Sequence, residues 1–133
     1  MFKDSVFIII SIVLIVGILL IIFGKNEQLA VNEFKTETSE STVSIDLVPK
    51  TFNENKFYVD ISLNTHVVEL SQFDLKKLVT LEFDNKIVRP ISVPELTGHH
   101  SSGTLIFKID KKPENFKIKI SNIPDMSVRI FEW

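Results

Sequence analysis

The sequence predicts an all-β fold, an antiparallel two-sheet sandwich of immunoglobulin or cupredoxin type with about seven strands, preceded by one transmembrane helix. Three observations predict it. An unbroken apolar run stands near the N-terminus, a polar Ser/Thr/Glu-rich stretch follows, and from Val43 onward apolar and polar residues alternate with a period of two.

The apolar run extends from Val6 to Phe23, VFIIISIVLIVGILLIIF, interrupted only by Ser11 and Gly17 and free of charge. As a helix it spans about 27 Å, close to the roughly 30 Å of a bilayer's hydrocarbon core. Backbone amides in hydrocarbon must pair internally, and a helix pairs them within one segment. A buried core helix would show an amphipathic period, whereas this run is apolar on every side. A cleaved signal peptide would have a shorter apolar stretch and a small-residue cleavage site, for which only Ala30 offers itself. Residues 1–5 are thus expected as a short head and 6–23 as an anchor in the lipid bilayer. The flanking charges, Lys3 and Asp4 before it and Lys25 after it, barely bias orientation. With so short a head, the helix is expected to act as a signal anchor that places the domain outside the cytoplasm.

Residues 24–42, GKNEQLAVNEFKTETSEST, hold too few large apolar groups to offset the entropy of ordering and are expected as a flexible tether. Residues 43–133 are expected as the domain. Val43, Ile45 and Leu47 alternate with polar partners up to Pro49, and Phe57, Val59, Ile61 and Leu63 repeat the pattern. Val79, Leu81 and Phe83 lead into Asp84-Asn85-Lys86, a hairpin-turn signal before Ile87-Val88. Further strands read at Leu105–Ile109, Phe116–Ile120 and Ser127–Trp133, while Pro90 and Pro94 confine the stretch between them to a sheet edge or bulge. Ser71–Leu78 reads as a helical turn capped by Ser71, with Asp74 at the capping-box position.

Composition removes several function classes. The chain has no cysteine, which excludes disulfides, thiolate metal sites, cysteine nucleophiles and a blue-copper centre. Its formal net charge is -2, with lysines and acids interspersed, so no basic stripe follows a nucleic-acid backbone. There is no nucleophile elbow, phosphate loop or HExxH helix. Ser101 and Ser102 lie beside His100, but a serine next to a histidine in sequence is not a triad. An enzyme is not expected.

The three histidines carry the remaining chemistry. His66 follows Asn64-Thr65 at a strand end, and His99 and His100 lie in TGHHSSG between Thr97 and Gly103. Gly98 and Gly103 free the backbone around the pair, and three imidazoles converging on one point would make an open copper or zinc site. Adjacent histidines in a Gly/Ser loop are also what a solvated turn contains, and strand pleating sends neighbours to opposite faces. Glu69, Asp74, Glu95 and Met126 are possible completing ligands, the carboxylates suiting zinc or copper(II) and the thioether copper(I). In the last strand Arg129, Phe131 and Trp133 share one face, expected either as a bulged central strand that buries the aromatics or as an exposed docking patch.

Three motifs also carry a resemblance: THVVEL at Thr65 to Leu70, TGHHSSGTLIF at Thr97 to Phe107, and RIFEW at Arg129 to Trp133. In order and spacing they resemble a group of poorly characterised prokaryotic membrane-anchored domains. Those share a Thr-His-Ser-Val-x-Leu strand end, a Gly-Gly-His-His-x-x-Gly-x-Leu-x-Phe loop and strand, and a terminal Arg-x-Phe-x-Trp. Val67 replaces the serine and Thr97 the first glycine, while all three histidines match. The resemblance raises the weight of a histidine site and implies no particular activity.

The sequence therefore points to a membrane-anchored extracytoplasmic module binding copper or zinc through His66, His99 and His100. The alternative is a non-catalytic interaction domain of a cell-envelope complex. Topology is checked directly: a membrane-impermeant amine reagent on intact cells should label lysines beyond Gly24, and labelling seen only after lysis would place the domain in the cytoplasm.

Overall fold

The computed structural model describes residues 13–15 and 34–133. Val13–Ile15, the described part of the apolar run, is helical; the rest of the expected anchor and residues 24–33 of the expected tether lie outside the described residues. Among the described residues no helix is long and apolar enough to cross a membrane. The chain divides into two compact units, Met1–Val31 and Asn32–Trp133, and the second holds every strand described.

Eight strands form two four-stranded antiparallel sheets. Sheet A has the spatial order β1 (Glu37–Ser39), β2 (Val43–Asn53), β3 (Lys56–Thr65), β6 (His100–Lys108). Sheet B has the order β5 (Lys86–Val88), β4 (Val79–Phe83), β7 (Lys117–Ile123), β8 (Met126–Glu132). The consecutive strands β3 and β4 lie in different sheets, as do β6 and β7, yet β3 pairs with β6 and β4 with β7. The expected two-sheet antiparallel architecture is present, with one strand more than the alternation signalled. The addition is β1, upstream of Val43 in the segment expected to be a tether. Its ETS sequence has no apolar alternation to announce it, and backbone pairing with Ile45–Leu47 holds it in place.

Pleating explains the core. Val43, Ile45 and Leu47 of β2 point inward with Phe57, Val59, Ile61 and Leu63 of β3. They meet Val79, Leu81, Ile118, Ile120 and Phe131 from sheet B in one apolar cluster. Each fully buried member contributes about 1.5–3 kcal/mol before entropy is counted. Two tight hairpins set the register. Glu54 and Asn55 (φ 50° and 59°) join β2 to β3, and Asp84 and Asn85 (φ 46° and 60°) join β4 to β5. Both central residues are left-handed in each, as a type I′ turn requires, and the right-handed strand twist favours that turn.

Three local expectations are corrected. Pro49 does not end the first long strand; β2 runs through it, with a register shift between Pro49 and Thr51 that accommodates the missing amide donor. Ser71 is not the cap of the helical segment. The Glu69 carboxylate accepts from the Ser71 amide at 3.2 Å to start a 3-10 turn over Leu70–Gln72, and Asp74 accepts from Lys76 at 3.1 Å to start helix α1 (Leu75–Leu78). Finally, β8 is not a bulged central strand but the edge of sheet B, in unbroken register with β7. The stretch between the two prolines is an edge segment as expected. Ile91 donates to the Ile106 carbonyl at 2.7 Å, and Pro94 lies so close over Gly103 that a Cβ there would collide with its ring.

The terminal motif is structural. Arg129 is 1% exposed. Its Nη1 donates to the carbonyls of Val43 (2.6 Å) and Ser39 (3.1 Å), and its Nη2 to the Ser41 hydroxyl (2.6 Å) and the Pro124 carbonyl (3.2 Å). Among the described residues no carboxylate pairs with it directly. Burial pushes the guanidinium below its ordinary pKa, and the charge of Asp125 pulls the other way. Asp125 in turn accepts from both the amide and the hydroxyl of Thr42. Four residues on, Trp133 stacks on Phe116 with centroids 5.1 Å apart and donates its indole N–H to the Lys35 carbonyl at 2.7 Å. Phe34 completes this end edge-on to Phe116 (5.3 Å) and Phe57 (6.4 Å). Replacing Arg129 by methionine strands several buried acceptors and should cost about 3 kcal/mol in urea unfolding, lysine rescuing little because it lacks the planar fork. A loss under about 1 kcal/mol would show the clamp to be dispensable.

Candidate metal site

The register of β3 against β6 decides which histidines meet. Asn64 pairs with His100, and both side chains face outward, since the alternate residues Leu63 and Thr65 are buried. The ladder continues past the strand ends: the Thr65 amide donates to the His99 carbonyl (2.9 Å) and the Leu70 amide to the Gly98 carbonyl (2.9 Å). Buried Thr65 fixes this end, its hydroxyl donating to the Thr42 carbonyl at 2.8 Å and accepting from the Val67 amide at 3.3 Å. Gly98 has φ +59° with open space where a Cβ would stand, so backbone conformation rather than crowding calls for glycine.

The result brings two of the three histidines together. The rings of His66 and His100 are edge-on with centroids 5.8 Å apart, and both residues are exposed. At zinc–nitrogen distances near 2.0–2.1 Å, two imidazoles on one ion have centroids roughly 5–6 Å apart, so the observed spacing fits shared ligation. The orientation of His100 fits as well. Its Nδ1 lies 3.0 Å from Asn64 Oδ1. An amide oxygen only accepts, so this contact favours the proton on Nδ1, and in that neutral tautomer Nε2 is the atom with a lone pair to offer. His99 follows Thr65 on the alternate pleat, on the side of Glu69, whose carboxylate its charge helps to stabilise. That carboxylate is held below its usual range first by the Ser71 amide and hydroxyl, and only weakly by His99.

Three of the four other proposed ligands are engaged elsewhere, while Glu95 is exposed, its backbone carbonyl accepting from the Ser101 hydroxyl at 3.4 Å. Glu69 and Asp74 cap the 3-10 turn and α1. Met126 accepts a long contact from the Ser39 hydroxyl on the β1 side of the domain, three strand spacings from β6, or about 14 Å. Among the described residues no group of three or more His, Asp and Glu side chains is arranged to hold a metal ion. Neither family models, curated proteins nor solved structures yield a match to this chain. Function therefore rests on geometry.

A surface cleft of about 590 Å³ opens at the opposite end, lined by Phe83, Phe116, Trp133 and several charged residues. Its charges are engaged, Lys117 with Glu132 (2.6 Å), Glu82 with Lys119 (2.8 Å), Lys86 with Asp110 (2.9 Å) and Asp84 with Lys111 (2.7 Å). With its charges paired among themselves, the cleft presents weaker ligand chemistry than the histidine pair.

Asn64 is the residue of the candidate site that sequence reasoning passed over. Its signal was the alternation itself, since it stands two residues before His66 on the same face. Nitrogen-15 spectroscopy should find His100 as the Nδ1–H tautomer, and Asn64→Leu should abolish that preference without unfolding the domain. An unchanged tautomer in the variant would remove Asn64 from the site.

Proposed function

We propose that this chain is a membrane-anchored, extracytoplasmic module that binds copper or zinc, and that His66 and His100 form the centre of its site. The observation that carries the proposal is the 5.8 Å imidazole pair, assembled from two strands far apart in sequence and oriented by Asn64. The THVVEL and TGHHSSG stretches, two of the motifs behind the family resemblance, are the segments that the β3–β6 ladder places side by side. The strand connectivity favours the immunoglobulin-like alternative over the cupredoxin one: β2 to β8 follow the order A, B, C, C′, E, F, G, with β3/β4 and β6/β7 as the interlocked pairs. His99 contributes the loop geometry that presents His100, and its own imidazole is peripheral.

The role fits binding rather than catalysis. Two imidazoles can hold and orient a cation. The interaction-domain alternative draws on Val128 and Ile130, which stay exposed on the outer face of β8.

Calorimetry and thermal melts separate the two. Zinc or copper(II) should raise the melting temperature, because ligand binding only to the folded state adds RT ln(1 + [L]/Kd), roughly 2.7 kcal/mol at a hundredfold excess over Kd. His66→Ala and His100→Ala should weaken binding equally, and His99→Ala much less. Affinity should fall with acidification, because a protonated imidazole has no lone pair to give. Unaltered metal affinity in His66→Ala would leave the interaction domain as the surviving function.

A further inference from the structure

We infer that the metal is shared between two copies of this chain, each supplying His66 and His100. This rests on the proposed metal site and specifies its second half. Each copy presents two imidazoles, and among the described residues no third His or carboxylate joins them. Structural zinc takes four protein ligands in a tetrahedron, so one such pair fills half a shell. A second identical pair completes it around a two-fold axis through the ion, a closed isologous contact that cannot propagate into a filament.

Three features of the surface fit a second copy. The rings stand exposed at the tip of the domain, and the adjacent Val67 is 75% exposed, the most exposed large apolar side chain among the described residues. Around them the outer face of sheet A carries the uncharged Ser44, Asn64, Ser62 and Ser102, and the charge in their row, Asp46, already accepts from the Thr38 hydroxyl at 2.6 Å. The first described residue of the domain, Phe34, lies at the far end. Phe34 packs on Phe57, and Phe57 and Asn64 lie seven residues apart along β3, about 23 Å. Phe34 therefore leaves the histidine end clear.

The absence of native cysteine makes the test clean. Full-length chain, purified without a histidine tag and carrying Lys76→Cys on exposed α1, is labelled in two batches with donor and acceptor dyes. The batches are mixed and titrated with zinc sulfate. Energy transfer should rise and saturate at half an equivalent of zinc per chain, reverse with chelator, and require more than about tenfold more zinc in His66→Ala or His100→Ala but not in His99→Ala. Binding of one equivalent without transfer would overturn the sharing and leave the site itself intact. No binding would overturn both, and transfer without zinc would show a dimer that the metal does not make.

Discussion

The domain depends on one buried cation. Arg129 stands where the two sheets would otherwise part, and a guanidinium removed from water must recover its hydrogen bonds or destabilise the core. It finds acceptors in Ser39, Ser41 and Val43, the residues that lead β1 into β2, and in Pro124 of the β7–β8 turn. One side chain of sheet B thus fixes the first turn of sheet A. Its Nε alone lacks a partner, a small residual cost beside the bonds formed. Trp133 repeats the device four residues further on, through the Lys35 carbonyl.

These two contacts explain why so short a strand as β1 exists. Ser39 lies against Arg129 and Lys35 against Trp133, so residues 35–39 run antiparallel along β8 and shield the edge that this seven-residue strand would otherwise offer to other chains. The exposed apolar residues of β8 lie on the outer face, not along the shielded edge. The seam is closed by side chains reaching to backbone rather than by a continuous ladder.

Much of this was legible in the sequence, and what was hidden had physical reasons. Period-two alternation located β2, β3, β4, β7 and the second half of β6 because each buries one face, and Asp84-Asn85 named its own turn. Glu54-Asn55 forms the same turn without announcing it, glutamate being an uncommon left-handed residue. β1 was hidden because its stability comes from Arg129 and from β2. The arginine was hidden because a charge is expected outside, and only the ring of carbonyls makes its burial tolerable. The candidate site was half legible. Residue types and loop placement were plain, but which two of three histidines meet depends on the register of strands separated by more than thirty residues.

That register is keyed by a pair of residues that take no part in the chemistry themselves. Pro94 seats its ring on the bare backbone of Gly103, and Gly103 is the single glycine in β6. Were β6 to slide by one position, Ser102 or Thr104 would stand beneath that ring, and every side chain of the strand would change faces. His100 would turn toward the interior and lose both Asn64 and His66. The small contact at one edge of the sheet thus acts as a tumbler in a lock, admitting only the alignment that presents the two imidazoles to the outside.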